Sequence, residues 1–300
     1  MMVTTRGSVL RLIAWQWKSI VLFVLFAAAV TYVHEHVSPS AKLPALPLGV
    51  VGGALGIFVS FRTNSAYARW WEGRQLWGRL INASRTFCSQ ALAYLPATGE
   101  GRALATRMVE RHIAYVHALR VSLRGQDLSA DADVLAFVTD DERPLLAESN
   151  PNHALCHRSY EDVARAQAAG WIDTNQLLAF DETLRTFLDV QGGCERIKKT
   201  PLPRGYAFIA ERLIFAFSLL LPLAVVADLG WWAVPISTLV CLSFALISEA
   251  GRVLEDPFTM FWNGLPLTAM ARTIEVNLRE RLGEKDLPKI PVADASGILM

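Results

Sequence analysis

The chain has 300 residues, of which 52% are hydrophobic and only 19% charged, with a formal net charge of +1 at pH 7. A mean hydropathy of +0.29 is too apolar for an ordinary soluble enzyme, and a charge near zero excludes the basic surface that a nucleic-acid binder needs. The apolar residues bunch toward both ends, while the middle has the composition of soluble protein. Cys88, Cys156, Cys194 and Cys241 are scattered without a Cys-x-x-Cys pair, which argues against a disulfide scaffold and a zinc site and fits a reducing cytoplasm for the middle section.

Residues Ile13 to Val33 form the first apolar segment, interrupted by Gln16, Lys18 and Thr31. A cleaved signal peptide, with Ala27 to Ala29 as the cleavage site, competes here with a spanning helix. The run is long for the former, and Trp15, Trp17 and Lys18 suit anchoring at a membrane interface. The polar loop His34 to Lys42 is broken at Pro39; its two histidines, His34 and His36, are too few for a metal site. Pro44 to Phe61 is uncharged and long enough to cross most of a hydrocarbon core at ~1.5 Å per residue. It then turns basic and aromatic at Arg62, Arg69, Trp70, Trp71, Arg74, Trp77 and Arg79, as a helix leaving lipid on the cytoplasmic side does. Gly49, Gly53, Ile57 and Phe61, four residues apart, lie nearly on one line of that helix. Two readings of the line stay open: it faces a shared axis and lines a pore, or it is a close-packing face of the kind glycines permit. The helix is predicted to run to about Leu95, where Pro96 and the turn Gly99 to Gly101 stop it.

The middle is predicted to be helical. Leu104, Met108, Ile113, Val116, Leu119 and Leu123 are spaced for an amphipathic helix closed by Gly125. His112 and His117 do not share a face and make a poor metal pair. Asp131 to Asp141 is an acidic solvated edge. Glu148 to His157 has turn character, and its adjacent Cys156 and His157 are a weak candidate for a catalytic pair. Tyr160 to Ala169 and Ile172 to Val190 are predicted helices, and Gln191 to Arg204 a break followed by a hinge. No alternating strand pattern occurs here.

Tyr206 to Val226 is a third apolar segment, with Glu211 and Arg212 near its start; Ala227 to Gly230 is a tight turn. Trp231 to Leu246 is the fourth, with Ser237, Thr238, Cys241, Ser243 and Ser248 placing small or polar groups where helices approach. Of the formal charges, the short outer loops hold Glu35, Lys42 and Asp228. The inner flanks hold Arg6, Arg11, Arg62, Arg69, Arg74, Lys198, Lys199, Arg204 and Arg252, which places both termini on the cytoplasmic side. A helix from Leu267 to Leu282 precedes an end expected to be mobile.

The run Ser60 to Gly78 (SFRTNSAYARWWEGRQLWG) resembles the bestrophin family, in particular its bacterial members. GGCERI at Gly192 to Ile197, TPLP at Thr200 to Pro203, EDPF at Glu255 to Phe258, and Leu265 with Pro266 are similar to that family in the same order. The resemblance implies an all-α membrane protein: four transmembrane helices per subunit and a large helical cytoplasmic region, assembled as a homopentamer around one axial pore. The segments expected are 1–62 with helices one and two, 63–204 cytoplasmic, 205–250 with helices three and four, and 251–300 as a cytoplasmic tail.

By that resemblance the pore neck falls on Gly53, Ile57 and Phe61. Gly53 departs from the family's bulky residue, so the outer neck is wider here or is sealed by Leu55 or Val50 after a small rotation. A second, cytoplasmic constriction falls at Leu177. Animal bestrophins bind calcium through an acidic run after the Pro-Phe motif; here the run is Thr259, Met260, Phe261, Trp262 and Asn263, without the carboxylates a hard cation needs. The expectation is therefore a channel for monovalent ions, with chloride and other anions favoured, in a bacterial inner membrane. Its partners are copies of itself, lipid and the permeant ions. No cofactor, metal or nucleic acid is expected. The alternatives are a monovalent cation (sodium) channel of the same fold and a non-conducting membrane scaffold. An enzyme is disfavoured, since no Gly-rich phosphate loop, paired-His motif or Ser–His–Asp order is visible.

Overall fold

Runs of Leu, Ala and Phe without strand-type alternation favour helix throughout, and helix is what the chain forms. The computed structural model describes residue 1, residues 8–294 and residues 297–299; Arg6 of the inner-flank charges lies outside the described residues, as do the side chains of Arg11 and Arg204. The helices are α1 (Ser8–His36), α2 (Ala45–Tyr94), α3 (Gly99–Arg124), α4 (Ala132–Leu135), α5 (Pro151–Ala168), α6 (Thr174–Lys199), α7 (Arg204–Leu229), α8 (Ala233–Leu254) and α9 (Leu267–Leu282). Among the described residues the only extended pairing is a bridge at Ile298. By internal contact the chain divides into an apolar unit, residues 4–70 with 201–256, and a helical unit, residues 1–3, 71–200 and 257–300.

The apolar unit holds α1, the first part of α2, α7 and α8. Leu48, Leu55 and Val59 of α2 are buried with Ile214, Phe217 and Ala224 of α7. The Phe217 ring meets Phe244 of α8 edge-on at 5.5 Å, a favoured aromatic geometry. A smaller cluster joins Val30 of α1 to Val226 and Ala233. Hydroxyls in this unit return their hydrogen bonds to the preceding turn: Thr31 to the Ala27 carbonyl at 2.9 Å and Ser243 to that of Leu239 at 2.8 Å. That keeps polar groups satisfied in an apolar setting. Ser237, Cys241 and Ser248 are buried on one face of α8, whereas Ser243 is exposed. Two stretches among the described residues are long and apolar enough to cross a membrane: Ala14–His36, and Phe208–Leu254, which takes in most of α7 and all of α8. The apolar start of α2 is diluted by four glycines and ended by Arg62.

The helical unit is built around α3, which is buried on every side from Met108 to Val121 apart from Glu110. Such an all-round buried helix is the core of its domain. Its polar residues are paired. Arg107 and Arg111 both bind the Glu142 carboxylate, and Arg111 also binds Asp162 of α5. His117 Nε2 lies 2.9 Å from Glu275 Oε2 of α9. His112 Nε2 lies 2.8 Å from the Ser84 hydroxyl, its ring stacked on Phe187 at 4.2 Å.

Three local expectations are corrected. The segment from Glu148 to His157 is not mostly turn: Pro151 opens α5 at a position where its missing N–H costs nothing, and the Asn150 side chain caps it by accepting from the His153 N–H at 3.1 Å. Residues Gly192 and Gly193 do not break α6, which continues to Lys199. A Cβ on Gly193 would sit 2.9 Å from Leu76 Cδ1, so this glycine serves close packing inside a helix. The turn expected at Gly99 to Gly101 is instead the first turn of α3.

Candidate pore-lining helix

Gly53, Ile57 and Phe61, the residues expected at the neck, lie in the apolar start of α2, and the two faces of that helix differ. Toward α7 and α8 it buries Leu55 (3% exposed) and Val59 (1%). Gly52 and Gly56 lie on the same side; a Cβ on Gly52 would touch the Phe217 ring at 3.1 Å and one on Gly56 would meet Phe244 at 3.6 Å. These two glycines let α2 approach its neighbours, the close-packing role glycines have between apolar helices. On the other face no packing partner stands among the described residues. A Cβ on Gly49 or Gly53 would have no heavy atom within 4 Å, and Ile57 and Phe61 are 62% and 66% exposed. The glycines therefore divide by face, two for packing and two in the open line.

This arrangement corrects one sealing option for the outer neck. Leu55 is locked into the cluster with Phe217 and Ala224 and cannot turn outward without emptying that core. Val50, 72% exposed, remains on the open side.

Immediately after Phe61 the polarity changes. Arg62 is 4% exposed, and its Nη1 donates to Ser248 Oγ of α8 at 2.9 Å. Thr63 Oγ1 donates to the Ile247 carbonyl at 3.2 Å, and Arg69 Nε to the Glu255 carbonyl at 3.2 Å. These bonds tie the inner end of the line to α8. From the linear chain Arg62 reads only as an inner-flank charge; its buried partner, Ser248, is 186 residues away, and no local signal marks that contact.

Leu177 belongs to the helical unit, in the first turn of α6. Its N–H donates to the Asp173 carbonyl at 3.0 Å, and Asp173 caps the helix in a reciprocal box with Gln176. Leu177 is half-buried; its neighbour Leu178 is 58% exposed.

Within the helical unit, Glu72 and Gly73 meet residues of three of the other stretches that resemble the bestrophins. A Cβ on Gly73 would lie 3.2 to 3.4 Å from Pro257, Phe258 and Leu265. Leu265 N–H closes the intervening loop onto the Pro257 carbonyl at 2.7 Å, and Gly264 has no room for a Cβ beside the Thr259 carbonyl. Glu72 pairs with Arg196 of the GGCERI stretch.

The remaining chemical candidates are structural groups. Burial pushes the Cys156 thiol up to about 12, while His157 is exposed, so the two do not form a dyad. Burial lowers His112 to about 3. Among the described residues no three His, Cys, Asp or Glu side chains are grouped to hold a metal ion.

The comparisons with known proteins agree with this construction. The profile of the family described as Bacterial/Fungal Bestrophin protein matches residues 1–280. The chain is 33% identical over 287 residues to the voltage-dependent anion channel-forming protein YneE of Escherichia coli (strain K12), covering 94% of this chain and 90% of that one. It is 34% identical over 245 residues to the voltage-dependent anion channel-forming protein mll4386 of Mesorhizobium japonicum, covering 82% and 77%. The crystal structure of a bacterial bestrophin homolog from Klebsiella pneumoniae matches with a TM-score of 0.83 at 31% identity, over 89% of this chain and 98% of that one. A match of this extent in both sequence and fold leaves one assignment: the chain belongs to the bacterial/fungal bestrophin family.

Proposed function

We propose that this chain is one subunit of a homopentameric membrane channel for monovalent ions, with anions favoured, whose axis is lined by Gly53, Ile57 and Phe61. The observation that carries the proposal is the open line on α2. Two large apolar side chains stand exposed beside a face that is fully packed, and in an isolated subunit they have nothing to cover them. Around a common axis they make an uncharged ring that gates by dewetting: narrow and dry when closed, wide enough for hydrated ions when open.

Four spans are proposed: α1, the start of α2, α7 and α8. Their outward faces carry exposed Leu25, Phe208, Leu239 and Trp232, side chains suited to lipid or a neighbouring subunit. The helical unit is assigned to the cytoplasm, with Leu177 at its constriction. Both chain ends are assigned to the same side, a reading supported by the Leu299 N–H donating to the Met1 carbonyl at 2.9 Å. The membrane is the bacterial inner membrane, and no calcium step is assigned to Thr259 to Asn263. The names of the relatives, voltage-dependent anion channel-forming proteins, favour anions. A cation-conducting form of the same assembly is the second reading, because the ring carries no charge of its own.

The test is a planar-bilayer recording of the purified protein under a sodium chloride gradient. Unitary currents reversing toward the chloride potential are expected. Silent bilayers containing correctly assembled protein would leave a scaffold, and a reversal at the sodium potential would assign the cation channel.

A further inference from the structure

Among the described residues, Arg62 is the one buried side chain of the apolar unit that carries a formal charge. It follows Phe61 directly in α2 and is 4% exposed. Its partner is a neutral hydroxyl, Ser248 Oγ, at 2.9 Å. No carboxylate among the described residues pairs with it. The acidic group nearest in sequence to Ser248 is otherwise engaged: Glu249 is held by Arg252 Nε at 2.8 Å to each of its oxygens.

A guanidinium stays protonated at any relevant pH. A hydroxyl satisfies one of its donors but leaves its charge uncompensated. A buried charge without a counter-charge is costly, and an ionisable group at membrane depth is retained where it acts on the ion path. Arg62 is adjacent in sequence to Phe61; its field is weakly screened inside protein and decays in solution over the Debye length, about 8 Å at physiological ionic strength.

We infer that Arg62 is a specificity-determining residue: a fixed positive charge at the inner end of the neck that favours anions and repels cations, held in place by Ser248. The inference rests on the proposed channel but is independent of its overall sign. Whether the parent prefers anions or cations, removing this charge moves permeability toward cations. Phe61 then supplies the gate and Arg62 the electrostatic bias that the uncharged ring lacks.

The experiment measures the reversal potential of the full-length channel under a sodium chloride gradient, with the parent currents recorded first. Arg62→Gln keeps a donor for Ser248 and removes the charge. The cation-to-anion permeability ratio is expected to rise about fivefold, the order of magnitude for a screened charge near the ion path. Arg62→Lys retains the parent ratio, and so does Ser248→Ala, which keeps the charge. Ser248→Asp places a carboxylate against the guanidinium and reproduces the Arg62→Gln shift, so it carries the test if Arg62→Gln fails to assemble. An unchanged ratio in conducting Arg62→Gln or Ser248→Asp channels overturns the inference. So does a shift of the Arg62→Gln size in Ser248→Ala, which would make the pair a structural latch. Absence of current in the parent counts against the channel reading itself.

Discussion

The difference between adjacent glycines of α2 gives a sharp test of the pore assignment. Gly53 has open space where a side chain would stand, and Gly52 faces the Phe217 ring at 3.1 Å from its notional Cβ. Both are within the same helix, roughly 100° apart. Replacing Gly53 by isoleucine removes a poor helix former, a gain of up to about 0.5 kcal/mol, with no clash inside the subunit. Replacing Gly52 by isoleucine gains the same propensity but drives a branched side chain into a packed ring, an overpacking cost of about 1–3 kcal/mol. The subunit with Gly53→Ile therefore melts at or slightly above the parent temperature, whereas Gly52→Ile melts below it. Conduction separates them in the other direction. On the proposed axis, isoleucine at position 53 adds an apolar ring above Ile57, and unitary conductance falls to a small fraction of the parent. Thermal melting in detergent and single-channel recording are run on the same preparations. Parent-like conductance in a well-folded Gly53→Ile channel would refute the axial placement of this line.

Ile57→Ala and Phe61→Ala should each raise open probability with little loss of melting temperature, because neither side chain contributes to the subunit core; unchanged gating in bilayer recordings would remove them from the gate. Burial lowers His112 from 6.5 to about 3, so the folded chain keeps the ring neutral while the unfolded chain takes up a proton. Stability is complete above pH ~6.5 and falls as the pH drops toward 3, by at most about 1.4 kcal/mol per pH unit; melting curves should show His112→Phe flattening this decline between about pH 6.5 and 4.5, and an identical slope in both proteins would contradict the assignment. Burial opposes the charge of Glu142, yet the guanidiniums of Arg107 and Arg111 prevail and hold its carboxyl below the usual range. Glu142→Ala leaves Arg107 with Glu110 and the Phe137 carbonyl and the buried Arg111 with Asp162 alone, at a cost of about 3 kcal/mol, read as a lower denaturation midpoint; a shift under about 0.5 kcal/mol, the size of an exposed pair, would refute it.

Much of this architecture was legible in the linear chain. The end of α2 was readable because Pro96 sits where the helix must stop, and the apolar runs of α7 and α8 stand out in composition, whereas that of α1 was shared with a signal-peptide reading. The EDPF and Arg-Trp-Trp stretches carried the family resemblance, and the structure joins them where Arg69 Nε donates to the Glu255 carbonyl. The two readings of the α2 glycines were inseparable in one dimension: Gly52 and Gly53 have the same intrinsic properties, and only the position of Phe217 makes one a packing site and the other open.

At Gly193 and Arg62 the reading from sequence failed for the same reason, whereas at the start of α5 a local bond decided. Asn150-Pro151 signals a turn or a helix start, and the capping bond to His153 selects the second. Gly193 weakens a helix locally, yet Leu76 fills the space beside it and the helix persists. Arg62 has the composition of a solvated flank and becomes a buried charge because α8 covers it. Local composition and periodicity fixed which segments are helical and which are apolar. Which side of each helix is covered, and which charge is left uncompensated, was decided by side chains 100 or more residues away, because burial is set by the neighbours that folding brings together.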